Sequence, residues 1–203
     1  MTPQVILRSA APQELRYDKR EAARYLGCRT NTPALDDGGL FRLVASQLQR
    51  AVSAKACYAV LPVRITGTRV DFGAFSLDSS DLAKNLAGCN AAILFAATLG
   101  AGADRCILTY KKTLPSRAML LDAVASSMIE CWCDDLQAEL TAGKESCPRF
   151  SPGYGDVPLT VQREVLSLLD AQRRLGITLS DTCFMTPTKS VTAFIGLKGE
   201  GTA

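Results

Sequence analysis

Ten residues, Arg149-Phe-Ser-Pro-Gly-Tyr-Gly-Asp-Val-Pro158, bring together one guanidinium, one phenol, two glycines and two prolines. Neither an ordinary helix nor an interior strand holds such a run, because the prolines lack a backbone donor and fix φ, while the glycines permit positive φ or close approach. The chemistry this turn offers is recognition rather than bond making. A guanidinium pairs with a carboxylate through charged hydrogen bonds, and a phenol ring supplies flat apolar area, so Arg149 and Tyr154 suit a small ligand with a carboxylate and a planar ring. The competing reading is a structural loop whose Arg149 pairs with a carboxylate of the protein itself.

Other residues carry weaker signals. Lys189, in Met185-Thr-Pro-Thr-Lys-Ser190, meets either an anion or water, and Glu130 sits among apolar neighbours where an interhelical ion pair competes with a ligand contact. Thr98-Leu-Gly-Ala-Gly-Ala-Asp104 follows an apolar run and opens a helix, as a dinucleotide fingerprint does, but Arg105 stands where the third glycine would fall. A tight structural turn, or a helix N-terminus near a ligand, are the alternatives there. Cys131-Trp-Cys133 cannot chelate one ion from a helix, since residues two apart point about 200° from each other, so packing accounts for it. The chain has no histidine, which excludes Ser-His-Asp and Cys-His catalysis, an imidazole base and the commonest nitrogen ligand of zinc. No catalytic residue and no metal ligand are expected.

The elements that must position these groups are legible in outline. With 203 residues, 47% hydrophobic and 21% charged, one compact domain over residues 1–203 is expected, with a helical N-terminal portion at 1–56 and an α/β core at 57–198. The formal net charge of +3 points to neither nucleic acid nor a membrane surface. Eight cysteines spread through a core-capable chain read as free buried thiols. Absence of a signal-like run or of about 18 consecutive apolar residues predicts a cytoplasmic protein without a membrane span.

Periodicity predicts helices at 18–27, 38–54, 102–112, 116–142 and 160–171, with a short one capped by Ser79 or Ser80 and ending at Gly88. It predicts a hairpin over 57–75 turning at Gly67-Thr68, a buried strand at 91–98, and a second hairpin-like pair from strands at 176–184 and 190–197. Strands and helices do not alternate strictly, so the fold class is α+β: a twisted, largely antiparallel sheet with packed helices.

In order and spacing, Arg149-Phe-Ser-Pro-Gly-Tyr154, Leu168-Leu-Asp170, Leu175-Gly-Ile-Thr-Leu-Ser180 and Met185-Thr-Pro-Thr-Lys-Ser-Val-Thr192 resemble the activation domain of cobalamin-dependent methionine synthase. The likeness is sharp over 149–197 and softer upstream, where Phe95-Ala-Ala-Thr-Leu-Gly and Leu120-Leu-Asp-Ala-Val-Ala-Ser are similar to short stand-alone forms. The resemblance implies an S-adenosylmethionine groove in which Arg149 holds the ligand carboxylate, Ser151 and Gly153 offer backbone groups to the adenine, and Tyr154 lines the wall. A helix glutamate of the long form falls at Ser126, with Glu130 one turn later as its substitute; Lys189 is a further candidate.

The implied role is reductive methylation of inactive cob(II)alamin, with cobalamin carried by a partner, and this module contributing position rather than a nucleophile or base. The chain has no Asp-x-His-x-x-Gly corrinoid loop and is expected to act in trans, as an accessory module rather than a complete enzyme. The expected partner is a corrinoid methionine synthase or related methyltransferase without its own activation domain, with flavodoxin or ferredoxin as electron donor. The alternative is a non-catalytic assembly protein that has lost S-adenosylmethionine binding. Departures from the family lie at Gly155-Asp-Val-Pro158, where it has Pro-Ala-Cys-Pro, and at Thr186, where it has tryptophan.

Overall fold

The computed structural model describes residues 3–28 and 39–199. Its spine is a four-stranded antiparallel sheet in the order β1 (Ile6–Ser9), β2 (Lys55–Pro62), β6 (Cys89–Thr98) and β9 (Ser190–Lys198). Leu94 sits opposite Ala59 on one side and Phe194 on the other. Side chains alternate across a strand, so β6 feeds two cores: Ile93, Phe95 and Ala97 enter one, and Ala92, Leu94 and Ala96 the other. That double burial is why residues 91–98 read as one unbroken apolar run.

Four helices cover the first face: α1 (Lys19–Tyr25), α2 (Leu40–Gln49), α4 (Ala101–Lys111) and α5 (Pro115–Leu140). Leu121, Val124, Met128 and Leu136 of α5 are completely or almost completely buried there, as its helical spacing predicts. Asp18 caps α1 by accepting from the backbone of Arg20 at 2.7 Å and Glu21 at 3.0 Å. Its own N–H donates to Ser127 Oγ at 2.8 Å, which docks α1 on α5. Gly102, in the first turn of α4, is a packing device: a Cβ there would lie 1.7 Å from the Ala51 carbonyl oxygen.

The second face carries a small antiparallel sheet of β3 (Arg64–Thr66), β4 (Arg69–Asp71) and β5 (Ser76–Asp78), with α3 (Ser80–Asn85), α6 (Gln162–Leu168) and α7 (Ala171–Leu175). Strands β7 (Thr178–Leu179) and β8 (Met185–Thr186) form a separate two-residue ladder. The α+β class and the antiparallel sheet stand as predicted; ten residues of the helix expected at 38–54 form α2, and its residue 38 lies outside the described residues.

Several elements differ from expectation. The N-terminal stretch also supplies β1, whose four residues are too few to show a period. The hairpin over 57–75 is two structures: β2 leaves for the main sheet, and only β3 and β4 turn at Gly67-Thr68. The strand at 176–184 shrinks to Thr178–Leu179, and β9 pairs with β6, not with it. The helix at 160–171 breaks at Asp170, which adopts a left-handed φ of 50° and starts α7 on a new axis. All eight cysteines are free. Among the described residues no helix is long and apolar enough to cross a membrane.

Candidate functional site

A polar stripe runs along α5 at four-residue intervals: Asp122, Ser126, Glu130 and Asp134. Residues four apart share one face of a helix, and here that face meets two cations delivered from the sheet side. Arg149 Nη2 donates to Glu130 Oε2 at 3.1 Å, and its Nη1 lies 2.8 Å from Asp134 Oδ1. Lys189 Nζ donates to Ser126 Oγ at 2.8 Å and pairs with Asp122 Oδ1 at 2.8 Å.

The two cations are not equivalent. The Arg149 side chain is only 17% exposed, and its Nη1 is buried without an aligned hydrogen bond despite the nearby Asp134 charge. Burial raises the Glu130 carboxyl above its ordinary range, with Glu21 and Asp134 adding to the effect and Arg149 opposing it. Tyr25, at the end of α1, is raised as well, first by burial and then by the Glu130 charge.

The turn that aims Arg149 is held at both ends. Phe150 exchanges backbone hydrogen bonds with Phe194 of β9, at 3.0 and 2.8 Å. Within the turn, Tyr154 N–H donates to the Ser151 carbonyl at 3.2 Å, and Gly153 N–H to the Val157 carbonyl at 3.0 Å. Gly153 has φ 90°, which favours glycine, and a Cβ there would sit tightly, 3.1 Å from Leu159 Cδ1. Asp156 anchors the far side by accepting from Ser79 Oγ, from Ser80 N–H and Oγ, each at 2.8 Å, and from Asp81 N–H at 3.3 Å. Those bonds at the start of α3, the Ser79 hydroxyl foremost, hold its carboxyl far below the usual carboxylate range.

Tyr154 is left 69% exposed beside this rigid frame. The loop before β9 is tied in turn, since Asp104 of α4 accepts the Thr188 N–H at 2.9 Å. Past Lys189 the stripe opens into a 790 Å³ groove walled by Tyr25, Ile107, Leu108, Met119, Asp122 and Thr186.

Arg149, Ser151, Gly153 and Tyr154 therefore share one pinned turn, Glu130 contacts Arg149 directly, and Ser126 contacts Lys189. Sequence reasoning missed Asp122 and Asp134 as partners. Their regular four-residue spacing with Ser126 and Glu130 was the available signal.

The family model for the vitamin B12 dependent methionine synthase activation domain matches residues 135–201. A solved structure described as the MetH reactivation domain bound to AdoHcy superposes with a TM-score of 0.76 at 14% identity, covering 99% of this chain and 80% of that one. The chain has the activation-domain fold. No curated protein matches it in sequence. Residues 135–201, the stretch in which the family match lies, hold both the Arg149 turn and the Lys189 loop of the activation-domain fold.

Proposed function

We propose that this chain binds S-adenosylmethionine at the Arg149 turn and supports, in trans, the reductive methylation of cob(II)alamin held by a partner corrinoid methyltransferase. The observation that carries the reading is the largely buried Arg149 guanidinium, held between Glu130 and Asp134, in a chain whose fold is that of a solved domain bound to AdoHcy.

The residues fit the ligand's amino-acid end because that end is a zwitterion. Arg149 offers a charged donor to the carboxylate, and Glu130 and Asp134 present negative charge to the ammonium and to a sulfonium. Exposed Tyr154 supplies ring area for the cationic sulfur or the nucleoside. Ser151 and Gly153 line the turn; the Gly153 N–H is engaged by Val157, so its main-chain contribution is a carbonyl. Lys189 braces Ser126 and Asp122 and keeps the groove's other end in place.

When bound, S-adenosylmethionine supplies the methyl group that the partner's cobalt accepts. This chain's own residues bind and orient the donor, so no protein base or nucleophile is required and the lack of histidine is no obstacle. The partner is a methionine synthase or related enzyme lacking an activation domain, and a flavodoxin or ferredoxin supplies the electron in the cytoplasm.

Calorimetry with S-adenosylmethionine on wild type and Arg149→Ala tests the reading. Loss of a charged hydrogen-bonded pair is worth ~1.5–3 kcal/mol, a fall in affinity of roughly 10- to 150-fold. Absence of binding to wild type at millimolar ligand sinks it. One observation favours a second reading: Glu130 and Asp134 already neutralise Arg149, as in an assembly module that has given up the ligand. That module would bind the corrinoid partner with equal strength in the presence and absence of S-adenosylmethionine.

A further inference from the structure

Helix α1 adds a carboxylate to the Arg149 end from outside the α5 stripe. Ser127, completely buried on α5, is the joint between the two helices: its Oγ accepts the Asp18 N–H at 2.8 Å and donates to the Asp18 carbonyl at 3.0 Å. The joint carries Glu21, in the first turn of α1, to 3.5 Å from the same hydroxyl. Ser127 and Glu130 are three residues apart, hence neighbours on one helix surface. Glu21 thus joins Glu130 and Asp134 as a third carboxylate at the Arg149 end.

The charge of Glu21 is only lightly balanced. Its ion-pair partner is Arg24 Nη2 at 3.0 Å, but the Arg24 side chain is 70% exposed and that of Glu21 26%. Water screens an exposed cation far more than a largely buried anion, so the pair leaves much of the anion's field in place on the inner side. Neighbouring groups register that field. Burial comes first in raising the Glu130 carboxyl and the Tyr25 hydroxyl, but Glu21 adds to both, and at Tyr25 it outweighs Arg24. Tyr25 in turn forms a wall of the 790 Å³ groove. Glu130 and Asp134 spend charge on Arg149, whereas Glu21 directs its own toward Glu130 and Tyr25.

An excess of negative charge around one guanidinium suits a ligand that is itself a net cation. S-adenosylmethionine carries a carboxylate, an ammonium and a sulfonium, whereas S-adenosylhomocysteine carries only the first two and is neutral overall. The amino-acid end is common to both, so only a group acting on the sulfur can tell them apart. We propose that Glu21 sets the charge selectivity of this site, favouring the sulfonium of S-adenosylmethionine over the neutral sulfur of S-adenosylhomocysteine. The proposal rests on the S-adenosylmethionine reading and names the residue that tells methyl donor from demethylated product. Once the methyl group has left, the ligand has lost the charge that Glu21 attracts, so the product is held less tightly than the donor.

The test is calorimetry on the full chain with both ligands, read as the ratio of the two affinities. Wild type is expected to prefer S-adenosylmethionine, and Glu21→Gln to lower that preference roughly three- to tenfold, chiefly by weakening S-adenosylmethionine. The Asp18–Ser127 bonds that hold α1 on α5 do not involve the Glu21 side chain, so this variant keeps its fold. Arg24→Gln, on the surface, removes the opposing cation and is expected to raise the preference about twofold. Arg149→Ala weakens both ligands alike, because both present a carboxylate. If wild type binds the two ligands equally, or if Glu21→Gln weakens them equally, Glu21 does not act on the sulfur and this inference falls while the functional reading stands. A fall in preference in Arg24→Gln also overturns it. Wild type that binds neither ligand overturns both.

Discussion

Arg149 and Lys189 look alike at first: each is a largely buried cation reaching from the sheet side onto the same stripe of α5. Their hydrogen bonding separates them. Lys189 is 12% exposed and divides its ammonium between a hydroxyl and a carboxylate, Ser126 and Asp122, at 2.8 Å each. Arg149 is paired with two carboxylates, through an aligned hydrogen bond to Glu130 and a misaligned 2.8 Å ion pair between Nη1 and Asp134. A compact ammonium finds bonding partners by rotating, whereas a planar guanidinium has donors in fixed directions and leaves some of them over. The first arrangement closes a joint, and the second leaves donor capacity that a ligand can take.

The sharpest way to break this contrast is Arg149→Lys. Charge is kept but the fork is lost, so affinity for S-adenosylmethionine is expected to fall about tenfold, ~1.4 kcal/mol, with the melting temperature nearly unchanged. Retention of full affinity in a titration of this variant shows that only the positive charge matters, and the misaligned Nη1 then has no part in binding.

Lys189→Met is the converse experiment and has a smaller effect. Asp122 is 54% exposed and water can take over its carboxylate, so the cost is about 1 kcal/mol, a fall of about 2–4 °C in Tm for a chain of this size. Ligand affinity should be unchanged. A loss of affinity matching that of Arg149→Ala makes Lys189 part of the binding site and erases the distinction between the two cations.

The contrast also marks how far the sequence could be read. The Arg149 turn was legible because proline and glycine leave few backbone options, and α5 because its apolar residues recur at helical spacing over seven turns. The union of Ser126 with Lys189 was not legible as a contact, since 63 residues separate them and only the pairing of β9 with β6 brings them together. That pairing was itself misjudged: short strands such as β7 and β8 have no period to show, so nearness in sequence suggested a hairpin where β9 instead joins the edge of the main sheet beside β6.

The smallest effect tests the electrostatic side of the Arg149 end through pH. Burial raises the Glu130 carboxyl above its ordinary value of 4.5, so the folded chain holds that proton more tightly than the unfolded one. Stability attributable to this group is therefore greatest in acid and declines as pH rises from the unfolded value through the raised folded one, beyond which the loss is complete. Glu130→Gln has no proton to release. The difference in Tm between Glu130→Gln and wild type should then shift in the variant's favour from about pH 4 to about pH 7, superimposed on a pH-independent cost of leaving Arg149 to Asp134 alone. A shift toward wild type instead means that the Arg149 attraction outweighs burial, which turns the Glu130 end into a closed ion pair like that of Lys189 and removes the physical basis for ligand capture there.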